Sequence, residues 1–558
     1  MKKTIFLKAL ALSALTLALG ASLSSCKEDP LQLGPIDYYG SENYWKTPAQ
    51  AQAYIVGLHQ HFRTLYWTHT MTFGELRGGG FNLGNVSSDA MTLSDGVLRL
   101  QNLKQETPFT TNFADYYGHI AQCNFLLSRI ETVPDMDEAQ KNYFKAQAYG
   151  LRAWYFFDLY RIYGGVPLRL GTEVMDGELD PNKLYLKRAA PREVIAQVVS
   201  DLEESFKLFG NNRGFSEYGQ ANKAFWNKAA TEALMAEVAL WRAKSPNVGV
   251  PADPTQIAVA KQHLLNLTKD YGLELMPNFG SLFGAVNQDN TLTPEVKGNS
   301  EVILSWRFQE GEATNAFGNF MYDTNTGQTK GQLRLDGSDW NDPFNTSGGQ
   351  RYQYADLLYE SYDDADTRKL VTFYPAFYRD DPTKLFNIFL NKKSGKINAQ
   401  GNRVYDSDYI IYRLAWVYLS LAEVANYEGN NADVEKYINL VRERAYGANW
   451  NVAAYGYHAG NYTANELAIL AEKDKEFVNE GQRWFDLLRM TLTKGGKRLV
   501  FAPEANMYQT GGAPILNEST EAYKVLWPID VNLLNNDDTL VQTPGYTDTS
   551  KPYDGSWE

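Results

Sequence analysis

A mainly α-helical fold is predicted, with tetratricopeptide-type helix pairs and an irregular, loop-rich subdomain carrying short strands. Three observations predict it. Apolar residues recur at three- and four-residue spacings over two long blocks, the mark of one buried helix face. Glycine with proline just beyond ends the clearest of these stripes. Between the blocks lies a stretch rich in Gly, Asn, Asp and Thr in which only short strand-like runs occur.

In the first block Phe144, Ala148, Leu151, Tyr155, Leu159 and Ile162 form one stripe, stopped by Gly164-Gly165 and Pro167. Ala229, Ala233, Ala236 and Leu240 repeat the period with small residues, which lets a neighbouring helix approach closely. In the second block Leu414, Val417, Leu421 and Ala425 precede Asp433 to Ala445, the two arms of a helical hairpin. A further helix is expected from Asn465 to about Met490, capped by Thr463 three residues before Glu466. The scaffold is thus placed at about 48–271 and 410–492. The irregular region occupies about 280–396, with Glu301 to Phe308 strand-like, and a second irregular segment fills 495–558 with Val525 to Ile529 as a buried strand. Residues 26–558 are expected to form a single unit.

The composition sets limits. Of 558 residues, 44% are hydrophobic and 21% charged, enough apolar material for a core and too much for a disordered chain. The net charge of −13 disfavours phosphate backbones, so no nucleic-acid partner is expected. Two cysteines exclude a disulfide framework.

The N-terminus reads as an address. Met1-Lys2-Lys3 is basic, and a mostly apolar run follows from Ile5 to Ala21, interrupted by Lys8, the pattern of a secretory signal peptide over residues 1–25. Leu23-Ser24-Ser25-Cys26 resembles a bacterial lipobox, making Cys26 the expected site of lipidation and the lipid chains the expected membrane anchor. Lys27-Glu28-Asp29 resembles the acidic signal that exports lipoproteins to the cell surface.

Several segments, in order, resemble one family. Ala148 to Leu168 (AYGLRAWYFFDLYRIYGGVPL), Tyr412 to Asn426 (YRLAWVYLSLAEVAN), Tyr437 to Ala445 (YINLVRERA) and Glu476 to Arg489 (EFVNEGQRWFDLLR) are similar to motifs of the SusD/RagB family of Bacteroidetes nutrient-uptake lipoproteins. Leu526 to Ile529 and Gln542 to Tyr546 resemble its closing elements, with Asp530 and Thr543 as departures. The resemblance implies an outer-membrane binding protein, lipid-anchored and facing outward. Such a protein captures oligosaccharides, or in some members oligopeptides, and passes them to a TonB-dependent barrel of the SusC type. It implies no catalytic residues and no cofactor. The charges within these segments, Arg413 with Glu423 and Arg483 with Asp486, are expected to be buried ion pairs that fix helix register.

Catalytic signatures are missing from the sequence. None of the six histidines forms an H-E-x-x-H pair, no phosphate-loop or G-x-S-x-G motif occurs, and no metal site is expected. A surface glycoside hydrolase is therefore the weaker alternative, since acidic residues this numerous nominate no particular pair. What stands out is aromatic and polar residues together in segments expected to be loops. A sugar offers a C–H face to an aromatic plane and hydroxyls to amide, carboxylate or guanidinium groups. On this chemistry, and on the early loop and central region that the resemblance implies, the expected ligand contacts are Trp67, Arg77, Phe81, Asn82, Phe320, Tyr322 and Trp340.

Overall fold

The computed structural model describes residues 44–558 except 83–93, 106–112, 221–222, 316–328, 342, 345–349, 351, 509–510 and 548. The principal helices of the first block are α1 (Pro48–Thr64), α2 (Ala114–Arg129), α3 (Glu138–Tyr163), α4 (Pro191–Phe209), α5 (Lys228–Lys244) and α6 (Gln256–Asp270). The longest strands of the central region are β1 (Val302–Trp306), β2 (Phe373–Phe377), β3 (Leu385–Leu390) and β4 (Tyr409–Arg413). They form two antiparallel pairs, β1 with β4 and β2 with β3. The second block holds α7 (Leu414–Glu428), α8 (Asn431–Tyr446), α9 (Tyr462–Glu476) and α10 (Arg483–Arg489). The architecture is mainly helical. No helix among the described residues is long and apolar enough to cross a membrane.

Local chemistry explains the helix ends. Thr47 and Gln50 make a reciprocal capping box at α1, and Pro48 fills the first helical position, where an amide hydrogen would have no partner. Asp137 caps α3 by accepting from the Gln140 amide at 2.7 Å. Gly164, at φ 74°, ends α3 in a backbone region costly for side-chain-bearing residues. The helices stack in series: α2 and α4 pack on α3, α5 on α6, α6 on α7, and α8 and α9 on α7. Trp154 on α3 is a hub of the core. Its ring lies 4.9 Å from Phe62, 4.7 Å from His69 and 5.9 Å from Trp306, joining α1 and α3 to β1.

Three expectations are corrected. The helix predicted over 465–490 is two helices. α9 starts earlier, with Asn461 rather than Thr463 accepting from the Ala464 amide at 2.9 Å. It ends at Glu476, and the chain turns through Asn479 and Gly481 at φ 61° and 75° before α10. Val525 to Ile529 belongs to no strand, although Leu526 to Ile529 are buried. The Trp527 amide donates to the Ile162 carbonyl and the Ile529 amide to Gln542 Oε1, while Pro528 has no amide hydrogen for a ladder.

The ion pairs are buried as expected, but their partners differ. Arg413 binds Glu301, Glu476 and Glu480. Glu423 binds Arg489, Lys244 and Lys473, Arg483 meets Asp474, and Asp486 meets Lys473 and Arg489. Glu476 also binds Arg368 and Arg444. The pairs around Glu476 form one connected cluster that ties α9 and the turn after it to β4, α8 and the central region, while Glu423 and Asp486 anchor a second. Charges this deep persist only when every partner is present.

His59 on α1 is held neutral by geometry. Its Nδ1 faces the Ile55 carbonyl at 2.8 Å and its Nε2 accepts from the Trp226 amide at 2.8 Å, so the proton sits on Nδ1. Burial lowers its pKa from 6.5 to about 4. An imidazole harder to protonate when folded contributes stability above pH 6.5, and loses it as pH falls towards 4, because the unfolded chain takes the proton first. Urea midpoints should therefore drop across that window, and the drop should be smaller in His59→Asn.

Candidate functional site

Four of the expected contacts, Trp67, Arg77, Phe81 and Asn82, lie in the segment that follows α1. After Leu65 the chain runs through Tyr66 and Trp67 into a π-helical segment, Thr68–Glu75. Wide turns of this kind are rare and frequently mark functional positions. The segment is pinned from behind. Gly74 faces Gly481 so closely that a β-carbon on it would lie 2.2 Å from the Gly481 carbonyl oxygen. The Gly481 amide donates to Glu75 Oε1 at 2.9 Å, and burial pushes the Glu75 carboxyl up to about 8.

From Gly80 the chain meets a distant partner. Phe81 bridges antiparallel to Tyr354, the Ala355 amide donates to the Gly80 carbonyl at 2.9 Å, and the Asn82 amide donates to the Gln353 carbonyl at 2.8 Å. Arg99 Nη1 donates to the Asn82 carbonyl at 2.9 Å. These bonds fix the backbone of Asn82 while its side chain stays partly exposed. Trp67 is half-buried and tilts against Tyr352 at 5.8 Å. Phe81 lies beneath, 4.3 Å from Tyr354 in a stacked arrangement and 6.1 Å from Tyr352. Tyr66 packs on Phe308 and Tyr409, each at 5.0 Å. Together these residues make an aromatic shelf with an amide at its edge.

Beside the shelf, α1 and β1 border a cleft of about 240 Å³ lined by Gln60, Arg63, Phe225, Trp306 and Glu312 among others. Arg63 donates to Glu312 Oε1 at 2.8 Å and to the Arg307 carbonyl at 2.9 Å, and its guanidinium lies 5.6 Å from the Phe308 ring. The buried Phe308 ring thus touches both Tyr66 of the shelf and Arg63 of the cleft.

The seven expected contacts fare differently. Trp67 and Asn82 are each partly exposed. Arg77 is not: it is 0% exposed, donates to Gln101 Oε1 at 2.8 Å and to the Lys524 carbonyl at 2.7 Å, and stacks 4.0 Å from Trp484. Burial lowers its pKa to about 9, and its guanidinium binds the core rather than a ligand. Phe81, 2% exposed, supports the shelf from below. Trp340, expected as a contact from the central region, is 7% exposed and packs on Phe389 at 5.2 Å and Tyr374 at 5.8 Å. Phe320 and Tyr322 lie outside the described residues, as does Cys26. Sequence reasoning missed Tyr352 and Phe225, which are remote in the chain. The only signal for Tyr352 is the alternation Tyr352-Gln353-Tyr354.

The comparisons agree with this architecture. The SusD family model matches residues 381–546, and a second model, described as starch-binding associating with outer membrane, matches 80–240. A SusD superfamily structure from Bacteroides fragilis is 48% identical with a TM-score of 0.82, covering 90% of this chain and 100% of that one. The chain belongs to the SusD/RagB family. NanU of B. fragilis is 28% identical at a TM-score of 0.75, with 92% of this chain and all of that one covered. A SusD-like protein of Formosa agariphila is 24% identical over 493 residues, 84% of this chain and 88% of the relative.

Proposed function

We propose that this protein captures oligosaccharides at the outer cell surface, held there by lipid on Cys26, and hands them unaltered to a TonB-dependent barrel of the SusC type. The observation that carries the reading is the half-buried Trp67 on its aromatic shelf with Asn82 fixed at the edge. The indole supplies a plane for a sugar's C–H face, and the Asn82 amide together with Arg63 and Glu312 supplies hydroxyl partners. The starch-binding description of the model matching residues 80–240 supports a saccharide cargo. Oligopeptide cargo is the alternative, since the same aromatics would serve it.

Two or three stacking contacts of about 1 kcal/mol each, with a few hydrogen bonds, give millimolar to micromolar affinity, for which about 4–8 kcal/mol is required. A protein that must release its cargo gains nothing from tighter binding. The test is calorimetry of the chain from Cys26 onward against neutral oligosaccharides and a peptide pool, with Trp67→Ala alongside. A saccharide should bind, Trp67→Ala should weaken it about tenfold, and no new reducing ends should form. Unchanged affinity in Trp67→Ala would refute the site, and cleavage of the saccharide would refute capture without chemistry.

A further inference from the structure

A second cleft, of about 550 Å³, lies elsewhere on the molecule, among the ends of α5 and α7 and the chain after α10. Its wall includes a tight hairpin, Thr491 to Arg498, in which the Leu492 amide donates to the Lys497 carbonyl at 2.7 Å and the Gly496 amide to the Thr493 carbonyl at 2.8 Å. The hairpin presents three cations in a protein of net charge −13. Lys494 lies over the Tyr427 ring at 4.4 Å, and Lys497 meets Glu518 at 3.3 Å. The third, Arg498, is partly buried over the Phe501 ring, 5.3 Å from its centroid, and its guanidinium meets no hydrogen-bond or ion-pair partner among the described residues.

That is unusual company for an arginine here. Arg368, Arg413 and Arg489 are all buried against carboxylates. Arg498 keeps its donors for the cleft, with Phe501 beneath it and Tyr427 on the same wall. Burial pulls its pKa down to about 10, which leaves it cationic at neutral pH. A guanidinium offers a fixed fork of donors matched to oxyanions, and the adjoining rings can hold a small apolar face.

We propose that this cleft is an anion site, in which Arg498, assisted by Lys497, binds a sulfate or phosphate group, free or carried on a sugar. It is separate from the Trp67 shelf and stands or falls without it. Calorimetry at low salt with sodium sulfate, glucose 6-sulfate and glucose tests it on the whole chain, with Arg498→Gln, Arg498→Lys and Trp67→Ala. Sulfate or glucose 6-sulfate should bind, Arg498→Gln should lose at least about tenfold, Arg498→Lys should lose less, and Trp67→Ala should lose nothing. Equal affinity for the two anions identifies a free ion as the ligand. Preference for glucose 6-sulfate identifies the substituted sugar, with Phe501 and Tyr427 engaged. Because the Arg498 guanidinium makes no hydrogen bond or ion pair among the described residues, Arg498→Gln should fold normally, as circular dichroism will confirm. Absence of binding to the unmodified protein, or equal binding by Arg498→Gln, would overturn the proposal.

Discussion

Glu476→Gln should destabilise the protein by about 3–5 kcal/mol, the cost of breaking a buried charge cluster by removing one partner. Glu476 is fully buried at the end of α9 and its two carboxylate oxygens serve three guanidiniums. Arg368 Nη1 donates at 2.8 Å, Arg413 Nη1 at 2.5 Å, and Arg444 Nη2 completes the set. Arg444, Arg413 and Arg368 hold its carboxyl well below the usual carboxylate range, outweighing the desolvation that would raise it. The amide keeps the shape but leaves those cations short of one negative charge. Urea denaturation at pH 7 measures the effect, and a loss under about 1 kcal/mol would show that the neighbouring Glu301, Glu472 and Glu480 suffice. The sign with pH follows. A carboxyl depressed on folding contributes stability above its unfolded pKa, lost as pH falls below it, so the gap between Glu476→Gln and the parent should narrow on acidification.

Gly74→Ala should cost about 3 kcal/mol and weaken saccharide binding at the same time. Overpacking usually costs 1–3 kcal/mol, because neighbouring side chains can give way. Here the obstacle is backbone: the new methyl would stand 2.2 Å from the Gly481 carbonyl oxygen and 2.5 Å from its α-carbon. Gly481 cannot easily retreat, since its own φ is 75° and its amide is engaged by Glu75. The π-helical segment must move instead, and Trp67 stands at its first turn. Thermal unfolding and calorimetry on one variant read both effects. Full stability with weakened binding, or the reverse, would show that the Gly74–Gly481 contact does not couple the turn to the shelf.

Much of the helical scaffold was legible because its period is local. The stripe from Phe144 to Ile162 and its stop at Gly164 need no information from elsewhere in the chain. The break after Glu476 was hidden because Phe477 to Gln482 carries on plausible helical spacing. What bends it is tertiary: Gly481 presses on Thr70 and Gly74, and Glu480 turns inward to Arg413. Ion-pair partners were misread for the same reason, since Arg413 finds Glu476 and Glu480 across 63 and 67 residues.

The site divided likewise. Trp67 and Asn82 were visible as an aromatic and an amide in one early loop. Arg77, in the same loop, looks identical by composition, and only the fold shows it stacked on Trp484 inside the core. Tyr352 joins the shelf solely because Phe81 pairs with Tyr354.

Cargo is proposed to rest on Trp67. A crystal structure of the chain from Cys26 onward, grown with a saccharide that binds in calorimetry, puts this to the test. A sugar ring should stack on the Trp67 indole, at about 4 Å, with hydroxyls towards Asn82 or Arg63. A saccharide bound elsewhere, with the Trp67 face bare, would contradict it.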